Sequence, residues 1–183
     1  KAAVSEEEMK QKALQSTRKS VAFAKALKSI VGIGEHLGKT EEDFYCAIAS
    51  SFMLSADNAH AVHPHHPQKT DATNCVYMNE GIVVKSHAGQ KYTSDAVSIA
   101  VFKDLCKKAN VPVQFFANRS DEAGGSTLGN IAMAQVSMNS VDIGLPQLAM
   151  HSTYETAGIK DTYYMIQVMT EFFNCHISEI NTN

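Results

Sequence analysis

With 183 residues, 44% of them hydrophobic and 19% charged, the chain has room for one domain with a real core, or for a piece of a larger one. Its net charge of −3 and its 16 scattered Lys and Arg residues exclude a basic patch, and with it nucleic acid or an anionic membrane surface as the expected partner. No apolar run approaches the length of a membrane span.

Lys1 stands where a complete chain would carry methionine, so a fragment, a processed chain or one part of a split protein is expected. Ser5-Glu6-Glu7-Glu8 opens a helical pattern that runs to about Val31, through Met9, Ala13, Val21, Ala24, Leu27 and Ile30. Ser5 followed by Glu8 is a capping-box pattern, and Gly32 and Gly34 mark the stop. The cap also accounts for the carboxylate run, which otherwise resembles the pair a hydrolase needs. Thr40-Glu41-Glu42-Asp43 opens a second helix with Phe44, Ile48 and Phe52 at four-residue spacing.

Phe52-Met53-Leu54 then reads as a short buried strand that runs into "SADNAHAVHP", Ser55 to Pro64. From His63 to Glu80, two prolines and many polar residues predict a loop, in which His63, His65 and His66 are solvated rather than clustered on a metal. Gly81 to Lys85 is β-branched and strand-like. A helix is expected from Ser94 to Ala109, with Val97, Val101 and Leu105 on one face; Val111 to Ala117 is strand and "NRSDEAGGS" loop. Thr127 to about Met138 reads as helix, Val141 to Leu145 as strand, and Asp161 to Phe173 as helix. Cys46, Cys75, Cys106 and Cys175 are too far apart for a C-x-x-C motif, and Cys46 and Cys106 fall in apolar helical patterns. A reducing compartment, the cytoplasm, is therefore expected.

Helices alternating with short apolar strands imply an α/β layered domain with a largely parallel sheet. In such sheets ligands gather at the carboxyl ends of strands. Asp57 and His60 follow one expected strand, Lys85 ends the next, the Gly124-Gly125-Ser126-Thr127 turn follows the third, and His151 follows the fourth. Asp57 is an oxygen ligand type suited to zinc or manganese, and His151 a nitrogen ligand type. Taken singly each has a plainer reading. Asp57 fits a helix N-cap beside a surface histidine, His151 a satisfied core histidine, Lys85 a snorkelling strand end, and the glycine turn a plain turn.

Three longer stretches change the balance. "SSFMLSADNAHAVHP", "NRSDEAGGSTLGNI" and "VDIGLPQLAMHSTYETAG" resemble, in order and spacing, the aspartyl aminopeptidase family of dinuclear zinc exopeptidases, which includes the yeast vacuolar aminopeptidase as a relative. The resemblance covers the chain from about Thr40 to Phe173. It implies a three-layer helix/sheet/helix domain, incomplete in this chain, with residues 1–39 a divergent helical lead-in to the C-terminal part of one metallopeptidase catalytic domain. It implies Asp57 and His151 as zinc ligands, one for each of two metals, and His60, Lys85 and Thr127 as substrate-binding residues. Lys85 would lie near an acidic substrate side chain.

The family also uses an upstream histidine, a bridging aspartate in an "R-L-D-N"-like motif, and a Glu-Glu pair followed by Gly-Ser that holds the general base. None of these motifs is present in the chain, and Met9-Lys10-Gln11-Lys12 follows Glu7-Glu8 instead. His65 also stands where the family pattern has asparagine.

The resemblance thus implies an aminopeptidase that removes N-terminal Asp or Glu by a dizinc-activated water, assembled as a tetrahedral homo-oligomer, a dodecamer. No catalytic general base is identified in this chain. The rival readings are a non-catalytic assembly or cargo protein with the same fold and a broad-specificity aminopeptidase. A vacuolar or lysosome-like location is the alternative to the cytoplasm.

Overall fold

The computed structural model describes residues 38–122 and 124–176; the helix expected from Ser5 to Val31, with its capping box, lies outside them. The chain divides into two compact units, whose described parts are 38–51 with 131–138, and 52–122 and 124–130 with 139–176.

The first unit carries α1 (Glu41–Ala49). Thr40 Oγ1 accepts from the Asp43 amide at 3.1 Å, and the Asp43 carboxylate accepts from the Thr40 amide at 2.8 Å. These bonds satisfy two amides at the helix start, where Glu41, Glu42 and Asp43 also meet the positive end of the dipole. The helix stops at Ala49, so Phe52 does not continue the Phe44–Ile48 spacing but opens a strand. Cys46 is exposed rather than buried on an apolar face.

The second unit begins with β1 (Phe52–Ala56), β2 (Ala59–His60) and β3 (Ile82–Ser86), followed by α2 (Ala96–Lys108) and β4 (Val113–Ala117). After α3 (Leu128–Met133) come β5 (Asn139–Gly144), β6 (Pro146–Leu148), β7 (Thr156–Ala157) and α4 (Ile159–Asn174). The connection between β2 and β3 is loop, as expected, with one 3₁₀ turn at Pro67–Lys69. The helix expected to reach Met138 is cut short. The Ala132 carbonyl takes both the Gln135 and the Val136 amides at 3.0 Å, a tightened closing turn.

Four strands form one sheet in the order β1-β5-β3-β4, and β2-β6-β7 form a second. In the first sheet β1 pairs β5 and β3 pairs β4 in parallel, while β3 and β5 are antiparallel. The class is thus α/β with a largely parallel sheet. Period-two alternation sorts its faces. Ile82, Val84, Val141 and Ile143 join Val101, Phe102, Leu105 and Val168 in one buried cluster under α2 and α4, while Val83 and Phe116 belong to a second cluster with Ala59 and Val76.

On α2 the buried stripe is centred on Phe102, with Ser98, Leu105 and Cys106 around it. Val97, expected to share the face of Val101 and Leu105, lies one position off that stripe and is 57% exposed. Burial in this cluster pushes the Cys106 thiol up to about 12. At the start of α4, Asp161 is fully buried and accepts from the Asn79 amide at 2.5 Å and the Gly81 amide at 3.0 Å, which pins the entry to β3. Among the described residues no helix is long and apolar enough to cross a membrane.

The two sheets are joined by one ladder. The amides of Asp57, Ala59 and Ala61 bond the carbonyls of Ile143, Leu145 and Gln147 at 2.8–2.9 Å, so the β1/β5 pair runs on into β2/β6. A Cβ on Gly144 would overlap the Asp57 carbonyl oxygen and lie 3.0 Å from the Asn58 carbonyl carbon. Both neighbours are backbone and cannot rotate away. Gly144→Ala is expected to destabilise the fold by about 3 kcal/mol. Gly125→Ala, where nothing lies within 4 Å, should stay within about 0.5 kcal/mol of the parent. Urea denaturation of both variants checks this; equal midpoints would refute the crowding argument.

Candidate active site

Lys85 and its register partner Phe116 project from the sheet face opposite α2 and α4. A cleft of about 350 Å³ opens there and is lined by Asp57, His60, Lys85, Thr127 and His151, all five residues singled out in the sequence. Tyr92, Asn118 and the Gly124–Gly125 turn complete its wall.

The geometry that brings them together is not the expected single rim. Because β3 runs antiparallel to β5, the carboxyl ends of β3 and β4 point away from those of β1 and β5. The groups still meet because the overlap is shallow. Val84 pairs Ile143, which pairs Ala56, so Lys85 lies one residue beyond the level at which Asp57 leaves β1. Asp57 follows β1 at the bend between the two sheets and opens no helix, so it is not an N-cap. Its Oδ1 accepts from the Asn58 amide at 2.7 Å. Asn58 in turn donates to the buried Gln147 side chain at 2.6 Å, fixing the bend against β6.

His151 follows β6 in a tight turn, with φ of 68° for His151 and 56° for Ala149. Residues other than glycine rarely sit in this left-handed region, and such strain persists only where neighbours enforce it. Here the Ser152 amide bonds the Ala149 carbonyl at 3.0 Å, and the His151 amide bonds Glu155 Oε1 at 2.6 Å. The imidazole is exposed to the cleft rather than buried in the core.

Lys85 is 3% exposed, contrary to the reading of a snorkelling strand end. Burial holds its ammonium below the ordinary lysine value, partly offset by Asp57 and Asp142. Its Nζ donates to the Asn58 carbonyl at 3.3 Å and lies 5.3 Å from the centre of the Tyr92 ring. Desolvation, with His151 and Lys85 close by, holds His60 below the usual imidazole value. Thr127 is 4% exposed, and its Oγ1 has no hydrogen-bond partner among the described residues. Lys91 Nζ donates to the Gly124 carbonyl at 2.8 Å and steadies the glycine turn.

His63 lies with its ring centre 5.9 Å from that of His65 and 5.2 Å from that of His66, on exposed loop at the cleft mouth. Among the described residues no group of three His, Cys, Asp or Glu side chains is placed to hold a metal ion. The carboxylate of Asp57 and the imidazole of His151 are donors of the kind zinc takes, but two donors fall short of the three or four that hold it. Sequence reading passed over Tyr92, Gln147 and Asp142. A signal for Asp142 existed, since an aspartate inside the apolar strand "VDIGL" must find buried partners.

The family model for the aminopeptidase I zinc metalloproteases (M18) matches residues 14–173. A probable M18 family aminopeptidase 2 from Clostridium novyi (strain NT) is 52% identical over 138 residues, 75% of this chain and 32% of that protein. The crystal structure of yeast aminopeptidase 1 matches with a TM-score of 0.73 and 26% identity, over 86% of this chain and 35% of that one. A Saccharomyces cerevisiae dodecamer structure matches with a TM-score of 0.72 and 26% identity, over 86% and 34%. The chain therefore spans about a third of the length of the proteins it matches.

The lowered His60 makes stability depend on pH. A group whose folded pKa is depressed contributes its stability above the unfolded value and loses it as the pH falls. The loss should begin near pH 6.5, whereas the lowered carboxylates Asp43, Asp71 and Asp121 act below 3.8. Urea midpoints of the parent are expected to drop between about pH 6.5 and pH 5, and His60→Asn should flatten that drop. Parallel profiles for the two proteins would show that His60 is not held neutral.

Proposed function

The chain belongs to the aminopeptidase I zinc metalloprotease family, M18, and from that premise we propose that it is the C-terminal catalytic part of a zinc aminopeptidase that removes N-terminal Asp or Glu from peptides. One observation carries the acidic preference. Lys85 is a buried cation in the cleft which, among the described residues, forms no salt bridge and has the Asn58 carbonyl as its polar contact. Burying a charge with no carboxylate in direct contact is costly, and Asp57 and Asp142 offset that cost only in part. A substrate carboxylate brought to Lys85 would supply the missing partner.

In this reading Asp57 and His151 each hold one of two zinc ions. When bound, the metal pair supplies an activated water and polarises the scissile carbonyl. His60 reaches the substrate from the wall beside His151, and the Thr127 hydroxyl, without a partner among the described residues, offers a hydrogen bond to the peptide main chain. A glutamate from polypeptide beyond this chain would serve as the general base. The enzyme works as a homo-oligomer, a tetrahedral dodecamer, in the cytoplasm. The dodecamer structure matched above supports the assembly.

Two measurements test the reading. In the intact enzyme, Lys85→Ala is expected to lose about 2–4 kcal/mol in kcat/KM on Asp or Glu substrates, while Leu or Ala substrates change little. An equal fall on both classes would mean that Lys85 supports the site rather than reads the side chain. No change on either would place it outside the site. The 183-residue chain by itself, with two candidate ligands, should bind zinc weakly and show no turnover of an Asp-naphthylamide. Turnover abolished by a chelator would show that residues in this chain complete the metal centre.

A further inference from the structure

We propose that Asp142 is a positioning residue of this cleft: it clamps the Thr93–Ser94 segment to the sheet, sets the Tyr92 ring against the Lys85 ammonium, and thereby maintains selectivity for an acidic substrate side chain. The inference rests on the acidic-substrate reading above and adds the device that holds the reading residue in place.

Asp142 is fully buried in β5, on the face it shares with Ser55 and the cleft. Its Oδ1 accepts from Ser55 Oγ at 2.6 Å, and its Oδ2 from the Thr93 amide at 2.6 Å and Thr93 Oγ1 at 3.0 Å. Its own amide donates to Ser94 Oγ at 2.9 Å. Thr93 Oγ1 is also within 2.9 Å of Ser140 Oγ. The segment is thus held at two consecutive residues, through side chain and backbone alike.

What the clamp holds is cleft wall. Tyr92, the residue before it, places its ring centre 5.3 Å from Lys85 Nζ and donates its hydroxyl to Asn118 Oδ1 at 3.1 Å. Lys91, one residue earlier, reaches the Gly124 carbonyl in the turn that leads to Thr127. Two side chains from one clamped segment therefore reach both the charge-reading lysine and the glycine turn. Without the clamp, Lys85 would keep the Asn58 carbonyl as its hydrogen-bond partner among the described residues.

The chemistry favours a carboxylate at this position. The donors are one backbone amide and two hydroxyls, and they engage both oxygens. An ionised carboxylate, which accepts only, meets all of them with charge-assisted bonds. No cation is paired with Asp142 among the described residues. Buried ionic groups of this kind are often replaceable by apolar ones where only stability is at stake. The clamp is what an apolar side chain could not supply.

The test uses the intact, zinc-loaded enzyme and two readouts: kcat/KM on Asp against Leu substrates, and competitive labelling of Lys85 by a small amine reagent without substrate. Asp142→Ala is expected to lower the Asp-to-Leu ratio about tenfold, through KM on the Asp substrate, and to raise Lys85 labelling about fivefold. Asp142→Asn should recover most of both, because an amide can turn its oxygen to Thr93 and its nitrogen to Ser55 Oγ. Ser55→Ala, which removes a donor but leaves the Thr93 clamp, should shift the ratio by less than about twofold. If Asp142→Ala does not fold, Thr93→Val, which removes the Thr93 Oγ1 bonds to Asp142 and Ser140 but keeps the amide bond and that to Ser94, should move both readouts in the same direction by about threefold. A lower melting temperature with unchanged ratio and unchanged labelling would reduce Asp142 to a structural residue and overturn the proposal. A parent ratio near one would sink the acidic-substrate reading itself, whereas the labelling decides the clamp whatever the substrate.

Discussion

A single run of backbone hydrogen bonds, and the missing Cβ that lets it bend, carries the cleft. The parallel pairing of β1 with β5 continues as that of β2 with β6 through the amides of Asp57, Ala59 and Ala61. At the turning point Gly144 leaves room for the Asp57 carbonyl. The bend takes Asp57 and His60 off the edge of the first sheet, and β6 delivers His151 to the same cleft. A flat ladder would keep those side chains alternating on two faces, as strands do. Backbone crowding at one residue therefore decides which polar groups meet.

The cleft face is expensive in electrostatic terms. A buried ammonium at Lys85 and a buried carboxylate at Asp142 lie on the same side of the sheet, and neither forms a salt bridge among the described residues. The opposite face is ordinary core, where Ile82, Val84, Val141 and Ile143 pack under α2 and α4. Asp142 is compensated by a full set of donors, whereas among the described residues Lys85 contacts a single carbonyl and an aromatic ring, with Asp57 and Asp142 offsetting its burial only in part. Groups left under-compensated inside a cleft mark functional sites, because a ligand can supply what the fold withholds. The hydroxyl of Thr127, without a partner among the described residues, is a neutral case of the same kind.

The chain's share of its relatives' length sets the scope of what its residues do alone. Asp57 and His151 provide one oxygen and one nitrogen donor, and the chain spans about a third of a family member's length. The cluster of Phe102, Leu105, Ile82 and Ile143 is formed from local helix–strand packing within the second unit.

Much of this was legible in the residues themselves. Short apolar runs located β1, β3, β4 and β5, the Thr40-Glu41-Glu42-Asp43 run located the start of α1, the motif stretches located Asp57, His60, Thr127 and His151, and the end of the β-branched run located Lys85. These features are encoded in spacing and side-chain type, which a linear pattern preserves. Strand direction is not. The antiparallel seam between β3 and β5 depends on which edges pair, and no local propensity records that choice. Burial of Lys85, exposure of Val97 and the clamp at Asp142 likewise depend on groups far apart in sequence, Asp142 lying 49 residues from Thr93. The sequence by itself determined the elements and the chemical types available to the cleft. Tertiary structure alone decided which of those groups share a face and lose their water, because pairing register and desolvation are properties of the assembled sheet.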